Sequence, residues 1–445
     1  MEYSQVVESL YGLRQFGVKL GLGNITSLLE RLGKPHLHFT CFHVAGTNGK
    51  GTVAAVCQAV LAAHGVKSGL FTSPHLLSIR ERIRVDSAAV PREFVTGWVE
   101  EHLRFLTSRK ITFFEAITAL AFDYFRSSAA EAVSVEVGLG GRWDATNVVS
   151  PMVTAITSIG MDHEEYLGRS LAAIAAEKAG IVKPEVPLLC AETNRRALSV
   201  IERACRELGS PLIRLGQAAR LKELSHTPGG VSFDFHSGHF ELRQATLSQY
   251  GTHQARNAAL GLLAAGRMLE ALGLKPESAK AIRALRSLSW PGRFQRVLIP
   301  GDPQVEAVLD VAHNPPAARK LAGVFKEIFA GRRAIIVAGL AQQKRRALFF
   351  RPLTAIAHGF ILPRVDFAAC ESSPSQVAPP ELKRYLQKAG AQAQTSPSMT
   401  EAMDAALSLA RKTGVPILVT GSFRTVGEAM RVLGLDVLQP RRNSN

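Results

Sequence analysis

A glycine-rich turn between an apolar strand and a helix constrains this chain more than any other stretch. Phe39-Thr40-Cys41-Phe42-His43-Val44-Ala45 reads as a buried strand and runs into Gly46-Thr47-Asn48-Gly49-Lys50-Gly51-Thr52. Val53, Val56, Ala59, Val60 and Ala63 then recur at helical spacing. Strand, glycine turn, lysine, hydroxyl and helix compose a phosphate cradle. The glycines let backbone N–H groups approach the oxygens, and the helix N-terminus faces the anion. Lys50 is placed to reach the outer phosphates, and the Thr52 hydroxyl a magnesium ion. The common pattern has a glycine where Val44 stands and a hydroxyl where Gly51 stands, so a merely tight strand–helix turn stays open at this point.

With 445 residues the chain is expected to form two or three domains, each with its own core. Its 46% hydrophobic and 20% charged residues describe an ordinary globular protein. Cys41, Cys57, Cys190, Cys205 and Cys370 are scattered without paired spacing, which argues for a reducing compartment and against disulfides or a zinc cluster. Met1–Leu20 is mixed and amphipathic rather than a signal peptide, and no apolar run is long enough to span a bilayer, so a cytoplasmic protein is expected. The net charge of +16 suits small polyanions, nucleic acid or a membrane surface. The basic residues are dispersed, with short clusters only at Lys344-Arg345-Arg346 and Arg441-Arg442, which speaks against a dedicated nucleic-acid surface.

Residues 1–38 read as helical, with Ile25, Leu28, Leu29 and Leu32 at helical spacing and a stop at Gly33-Lys34-Pro35. Apolar runs at Gly69–Thr72, Ala132–Val137, Met152–Ile159 and Pro187–Cys190 alternate with helical text, the mark of a parallel α/β sheet. Ligands gather at the carboxyl ends of such strands. The residues there are Ser73-Pro74-His75, Glu136 through Gly141, Asp162-His163 and Glu192, a set that suggests a magnesium–nucleotide site. Arg214 to Arg243 reads as a β excursion and Gln254 to Leu272 as a helix. Beyond Ser289–Arg293 a second α/β pattern begins, with strands at Val305–Val311, Ala334–Ala338, Gly359–Leu362 and Pro416–Thr420, and Ser372–Pro380 reads as a loop.

Four features carry chemistry and also have plainer readings. Leu171, Ile174, Ala175 and Lys178 share one helical face, and a lysine on an apolar face is costly unless paired, deprotonated or modified. It is either a snorkelling or ion-paired lysine or a functional one with altered charge. Glu136 closes the run Val133–Val137 and either pairs with an arginine or binds metal. His163 is either structural or a ligand. Asp310-Val311-Ala312-His313-Asn314-Pro315 ends the second region's first strand and either faces a nucleotide or makes Asn-Pro turn structure.

Taken in order, the motifs are far more specific. They are Gly46–Thr52, Thr72-Ser73-Pro74-His75-Leu76, Glu81-Arg82-Ile83, Glu136–Arg142, Asp144-Ala145-Thr146-Asn147, Asp162-His163 with Leu167-Gly168, Glu177–Ile181, Pro291-Gly292-Arg293, Asp310 with Ala312-His313-Asn314, and Gly421-Ser422-Phe423. In this order the chain resembles the folylpolyglutamate synthase / dihydrofolate synthase family of the Mur ligase superfamily, over about Leu20 to Met430. The Gly49-Lys50-Gly51-Thr52 ending of the loop is that family's form. The resemblance implies an α/β fold: an N-terminal P-loop ATPase domain with a parallel sheet (1–294) and a smaller C-terminal Rossmann-like domain (295–445), with the active site between them. It implies ATP-dependent ligation of L-glutamate to dihydropteroate or folates through an acyl phosphate, with ADP and phosphate released.

Residue by residue, the resemblance puts Gly49, Lys50, Gly51 and Thr52 on the ATP phosphates, and Asn257, Arg293, Asp310 and His313 at the nucleotide. Ser73, Glu136 and His163 match magnesium ligands, with two magnesium ions expected, and Lys178 matches a lysine that is carbamylated in the superfamily. Lys50, Lys178 and His163 are thus the catalytic candidates. The pterin side corresponds to Lys19-Leu20-Gly21, Thr112-Phe113-Phe114-Glu115 and Trp143-Asp144-Ala145, with Arg82 and Ser422 as weaker candidates for substrate carboxylates. Two departures stand out. Lys19 replaces an aspartate common in bifunctional members, and Gln342-Gln343-Lys344-Arg345 replaces an Asp-Lys-Asp motif. The expected partners are small molecules, without nucleic acid or membrane, acting on a monomer. The rival readings are another Mur-type amino-acid ligase and, in a different class, a basic nucleic-acid-associated P-loop ATPase.

Overall fold

The computed structural model describes residues 1–17, 19, 21–342, 344–366 and 375–438. The chain divides into two compact units, Met1–Ser248 with Thr252–Leu288, and Gln249–Gly251 with Ser289–Asn445. The turn Trp290–Arg293 therefore belongs to the second unit.

The first unit is built on β1 (Thr40–Ala45), β2 (Ser68–Phe71), β3 (Ile83–Val85), β4 (Ala88–Ala89), β5 (Ala132–Glu136), β6 (Val153–Ile156), β7 (Leu188–Cys190) and β8 (Leu212–Arg214). Their order in one sheet is β4-β3-β2-β5-β1-β6-β7-β8. All pairs are parallel except those made by β3. The central strands are buried on both faces, which is why they read as continuous apolar runs rather than as an alternation. Val133 and Val135 face a core shared with the helices Tyr3–Gly12, Gly23–Arg31, Arg92–Ser108 and Phe113–Ser127. Ser134 faces the other way, toward Cys57 of the helix Lys50–Ala63.

That helix is buried almost all round, because the sheet covers one side and the helix Thr252–Ala271 the other. Gly261 permits the close crossing: a Cβ there would lie 2.8 Å from the Val53 carbonyl oxygen. The expected β excursion is an antiparallel meander of β9 (Ala219–Thr227), β10 (Gly230–Ser237) and β11 (Glu241–Leu247). It buries Val231, Phe233 and Phe235 at a period of two, packed toward the helices Thr252–Ala271 and Ser278–Ser287.

The second unit contains β12 (Gln295–Ile299), β13 (Val305–Leu309), β14 (Ala334–Ala338), β15 (Ala357–Pro363), β16 (Ala393–Ser396) and β17 (Ile417–Thr420). They form one sheet in the order β12-β13-β17-β14-β15-β16, parallel except for β12. The two strands without a sequence signal, β12 and β16, are its edges, and an edge strand needs no apolar run. The strand expected over Met152–Ile159 stops at Ile156; beyond it the Thr157 N–H still donates to the Ala45 carbonyl at 3.0 Å, while its hydroxyl turns to the Asn48 carbonyl at 2.8 Å. No described helix is long and apolar enough to cross a membrane.

Candidate active site

The phosphate loop leaves β1 at Gly46 and enters the helix at Lys50. Gly46 (φ 146°) and Gly49 (φ 92°) both lie in the left-handed region. Space forbids a side chain as well. A Cβ on Gly46 would sit 1.7 Å from the Thr157 hydroxyl oxygen, and one on Gly49 would sit 2.5 Å from the Asn257 amide oxygen. Asn257, expected near nucleotide, thus lies against the loop, its amide nitrogen donating to Gln254 at 2.9 Å. The Lys50 ammonium curls back over the turn, donating to the Gly46 carbonyl at 3.2 Å. Thr52 is buried in the first helical turn.

Three further strand ends converge on this loop. Glu136, at the end of β5, lies 3.9 Å from the Lys50 ammonium and accepts the Ser73 N–H at 3.0 Å. A lysine of the loop is thus a cationic partner of Glu136, and Ser73 stands beside it. His163 heads a short helix with a left-handed backbone (φ 50°), uncommon for a residue with a Cβ, and lies 3.9 Å from the Asp162 carboxylate. Lys178 is 5% exposed, on the face with Ile174 and Ala175 that the helical spacing predicts. Burial, and after it the charge of Lys50, bring its amine down to about 7, opposed by Asp162, Asp144 and Glu177. Lysine and phosphate loop therefore sense one another directly.

The glycine turn after β5 docks on the helix that carries Lys178. The Arg142 N–H donates to the Glu177 carbonyl at 2.9 Å, and the Asn147 amide donates to the Arg142 and Gly180 carbonyls at 3.0 and 3.1 Å. Asp144 serves this turn. Its carboxylate accepts the Leu139 N–H at 2.8 Å, the Thr146 N–H at 3.0 Å and the Thr146 hydroxyl at 2.5 Å. Burial pushes its pKa up against these donors. Thr146 in turn meets His43 of β1 at 2.9 Å, whose imidazole burial holds neutral with a pKa of about 3. His43 has no role in the sequence reading and Thr146 enters it only within the motif Asp144–Asn147; a lone histidine inside an otherwise apolar strand was the available signal.

Other expected substrate positions have internal roles. Thr112 and Glu115 form a reciprocal capping box at the head of the helix Phe113–Ser127, both buried. Phe113 is only 2% exposed, packed against Tyr11 at 5.6 Å with the Arg82 and Arg14 guanidinium groups over its ring at 5.3 and 4.9 Å. Phe114 is half-buried and fills the space that the missing Cβ of Gly138 leaves. Arg82 is buried, and its Nε donates to His75 Nδ1 at 2.9 Å, while His75 Nε2 meets the Tyr11 hydroxyl at 3.0 Å. This relay was not legible, since the Tyr11 partner is remote in sequence. Trp143 is exposed and Ala145 buried. The exposed Lys19 donates to the Lys110 carbonyl at 2.7 Å, Gly21 takes φ 125°, and Leu20 lies outside the described residues.

In the second unit Arg293 faces Asp310 and lies over the Phe423 ring at 5.1 Å. Asp310 accepts the Phe294 and Ala312 N–H groups, both at 2.8 Å, and burial raises its pKa while Arg293 opposes the rise. His313 Nδ1 donates to the Val311 carbonyl at 2.9 Å. Asn314 is the buried cap of the helix Pro315–Ile328, so the Asn-Pro pair also starts a helix. Ser422 caps the helix Phe423–Val432, its oxygen accepting the Thr425 N–H at 3.0 Å. Of the Gln342–Arg345 replacement, Gln343 lies outside the described residues. Lys344 and Arg345 line a basic recess with Arg346 and Glu381.

Comparisons with known proteins agree with this arrangement. Residues 44–265 match the Mur ligase middle domain and residues 292–423 the Mur ligase glutamate ligase domain. The chain is 37% identical over 373 residues to a Bacillus subtilis protein named dihydrofolate synthase/folylpolyglutamate synthase, covering 82% of this chain and 86% of that one. A crystal structure of folylpolyglutamate synthase from Thermotoga maritima superposes with a TM-score of 0.81 at 32% identity, covering 97% of this chain and 96% of the other. The E. coli FolC structure in complex with DHPP and ADP gives a TM-score of 0.81 at 29% identity, covering 96% and 97%. With a phosphate loop, strand-end carboxylate and buried lysine in one place, and relatives of this identity along nearly its whole length, the chain belongs to the folylpolyglutamate synthase / dihydrofolate synthase family of Mur ligases.

Proposed function

We propose that this chain uses ATP to join the carboxylate of a pteridine-bearing acid, dihydropteroate or a folate, to the amine of L-glutamate. The carboxylate oxygen attacks the γ-phosphorus and expels ADP. The glutamate amine then attacks the acyl phosphate carbonyl, and phosphate leaves as the amide forms. Such chemistry is mostly positioning and charge neutralisation. The observation that carries the reading is Lys50 held between the loop carbonyl of Gly46 and the carboxylate of Glu136, beside a buried Lys178 that feels its charge. Lys50 binds the transferring phosphoryl oxygens, and the loop N–H groups hold the remaining phosphates.

Magnesium fits this donor set. Among the described residues no three His, Cys, Asp or Glu side chains form a metal cluster. The donors beside the loop include the Glu136 carboxylate and the Ser73 and Thr52 hydroxyls, hard oxygens of the kind magnesium takes together with phosphate oxygens and water. Glu136, Ser73, Thr52 and His163 are the side chains that would hold it, and when bound it would neutralise phosphate charge. The lowered pKa of Lys178 supports its modification: a neutral amine attacks carbon dioxide, loses a proton and becomes a carbamate. The product is a carboxylate-like anion facing Lys50, able to support a second magnesium. We also propose a monomer in the cytoplasm; the four described cysteines, all buried and unbridged, support the reducing compartment.

The test incubates the protein with ATP, magnesium, labelled L-glutamate and either dihydropteroate or tetrahydrofolate. Labelled amide is expected with at least one acceptor, and the acceptor used tells which of the two activities is present. ATP turnover that needs nucleic acid and yields no amide with either acceptor would sink the reading.

A further inference from the structure

The geometry points to Glu192 as a positioning residue that sets the shape of the nucleotide loop through backbone bonds alone. Glu192 follows β7 and is 7% exposed. One carboxylate oxygen accepts the N–H groups of Thr193 and Asn194 at 2.7 and 2.5 Å, closing its own turn. The other accepts the N–H of Ile159, in the connection that leaves β6.

That connection holds the first half of the phosphate loop. The Thr47 N–H donates to the Ser158 carbonyl at 2.7 Å. The Gly160 N–H donates to the Thr47 hydroxyl at 2.9 Å, and that hydroxyl lies 3.2 Å from the Gly160 carbonyl. The Thr157 hydroxyl donates to the Asn48 carbonyl at 2.8 Å. Thr157, Ser158 and Gly160 thus grip the loop from one side, and Ile159, between them, is gripped by Glu192 from the other. The same connection leads straight into Asp162 and His163. Only a carboxylate suits this place, because both its oxygens accept. An amide of the same shape would turn N–H donors toward backbone N–H groups, and the buried donors would lose their partner. Both Glu192 oxygens are taken by backbone N–H groups. The residue acts through Ile159 on the loop.

The inference rests on the reading of Gly46–Thr52 as the ATP loop. The experiment compares the full chain with Glu192→Gln, Thr47→Val and the double variant. It measures the KM values for ATP and for the pteridine acid, ADP binding by calorimetry with magnesium, and melting temperature. Glu192→Gln should raise KM for ATP and weaken ADP binding about 10- to 100-fold, the scale of one lost charge-assisted bond, with KM for the pteridine acid within about twofold. Thr47→Val should act alike, Thr47→Ser should restore binding, and the double variant should be no worse than the more severe single one, because both act on one connection. Unchanged ADP binding in Glu192→Gln, or equal rises in both KM values alongside a lowered melting temperature, overturns the proposal. If Glu192→Gln does not fold, Thr157→Val probes the same connection from the loop side, and unchanged ADP binding there overturns it equally. A parent chain that binds no ADP would overturn the loop reading together with this one.

Discussion

At the scale of single residues, burial decides which charges this protein can use. Lys178 and Asp144 lie in the same buried region, yet they are compensated differently. Asp144 spends its carboxylate on two N–H groups and a hydroxyl, so it shapes the turn after β5 rather than facing outward. Lys178 has the carboxylates of Asp162, Asp144 and Glu177 in its electrostatic surroundings, yet burial and then a second lysine outweigh them. Its amine is thereby made reactive near neutral pH. Lys178→Ala should reduce ligase activity about 100-fold, the scale of losing a group that supports a metal site. Added bicarbonate or a short carboxylate should restore part of it. Full activity in Lys178→Ala, assayed as amide formation, would refute a modified lysine. The apolar spacing of Leu171, Ile174 and Ala175 announced this residue. Burial, and after it the charge of Lys50, far away in sequence, made its protonation unusual.

Elements meet here through missing side chains. The turn Gly138–Arg142 and the end of the helix Leu171–Ala179 touch so closely that a Cβ on Gly180 would lie 2.4 Å from the Arg142 Cβ and 2.5 Å from its Cα. Gly180→Ala should cost about 1–3 kcal/mol of stability and lower activity, because Lys178 must shift with the displaced turn. Gly97, in the exposed face of the helix Arg92–Ser108, meets nothing within 4 Å. Gly97→Ala should instead stabilise by about 0.5–1 kcal/mol. Urea unfolding midpoints for the two variants check both signs. Strand positions were readable wherever a strand is central, since burial on both faces demands apolar runs. The ends of β6 and the existence of β12 and β16 were not, because there a hydroxyl bond or an edge position, rather than hydrophobicity, decides.

For the molecule as a whole, the buried lysine links stability to pH. The unfolded chain binds a proton at Lys178 up to about pH 10.5, whereas the folded chain releases it above about 7. The unfolded state therefore holds more protons across this window, and stability must rise with pH through it, by at most about 1.4 kcal/mol per unit for one group. Melting curves of the nucleotide-free protein between about pH 7 and 9 should show the rise, and Lys178→Met should flatten it. A wild-type curve as flat as that of the variant would show that Lys178 is not buried as a neutral amine. The sequence by itself determined the alternation of strands and helices, the loop Gly46–Thr52 and the order of strand-end residues, because hydrophobic burial and glycine geometry are written locally. Tertiary structure alone decided that Glu192 grips the loop's backbone support, that Asp144 and Ser422 spend their oxygens on turns and helix caps, and that Lys178 feels the charge of Lys50. These are bonds and fields between segments distant along the chain, and no local pattern records which donor an acceptor will find.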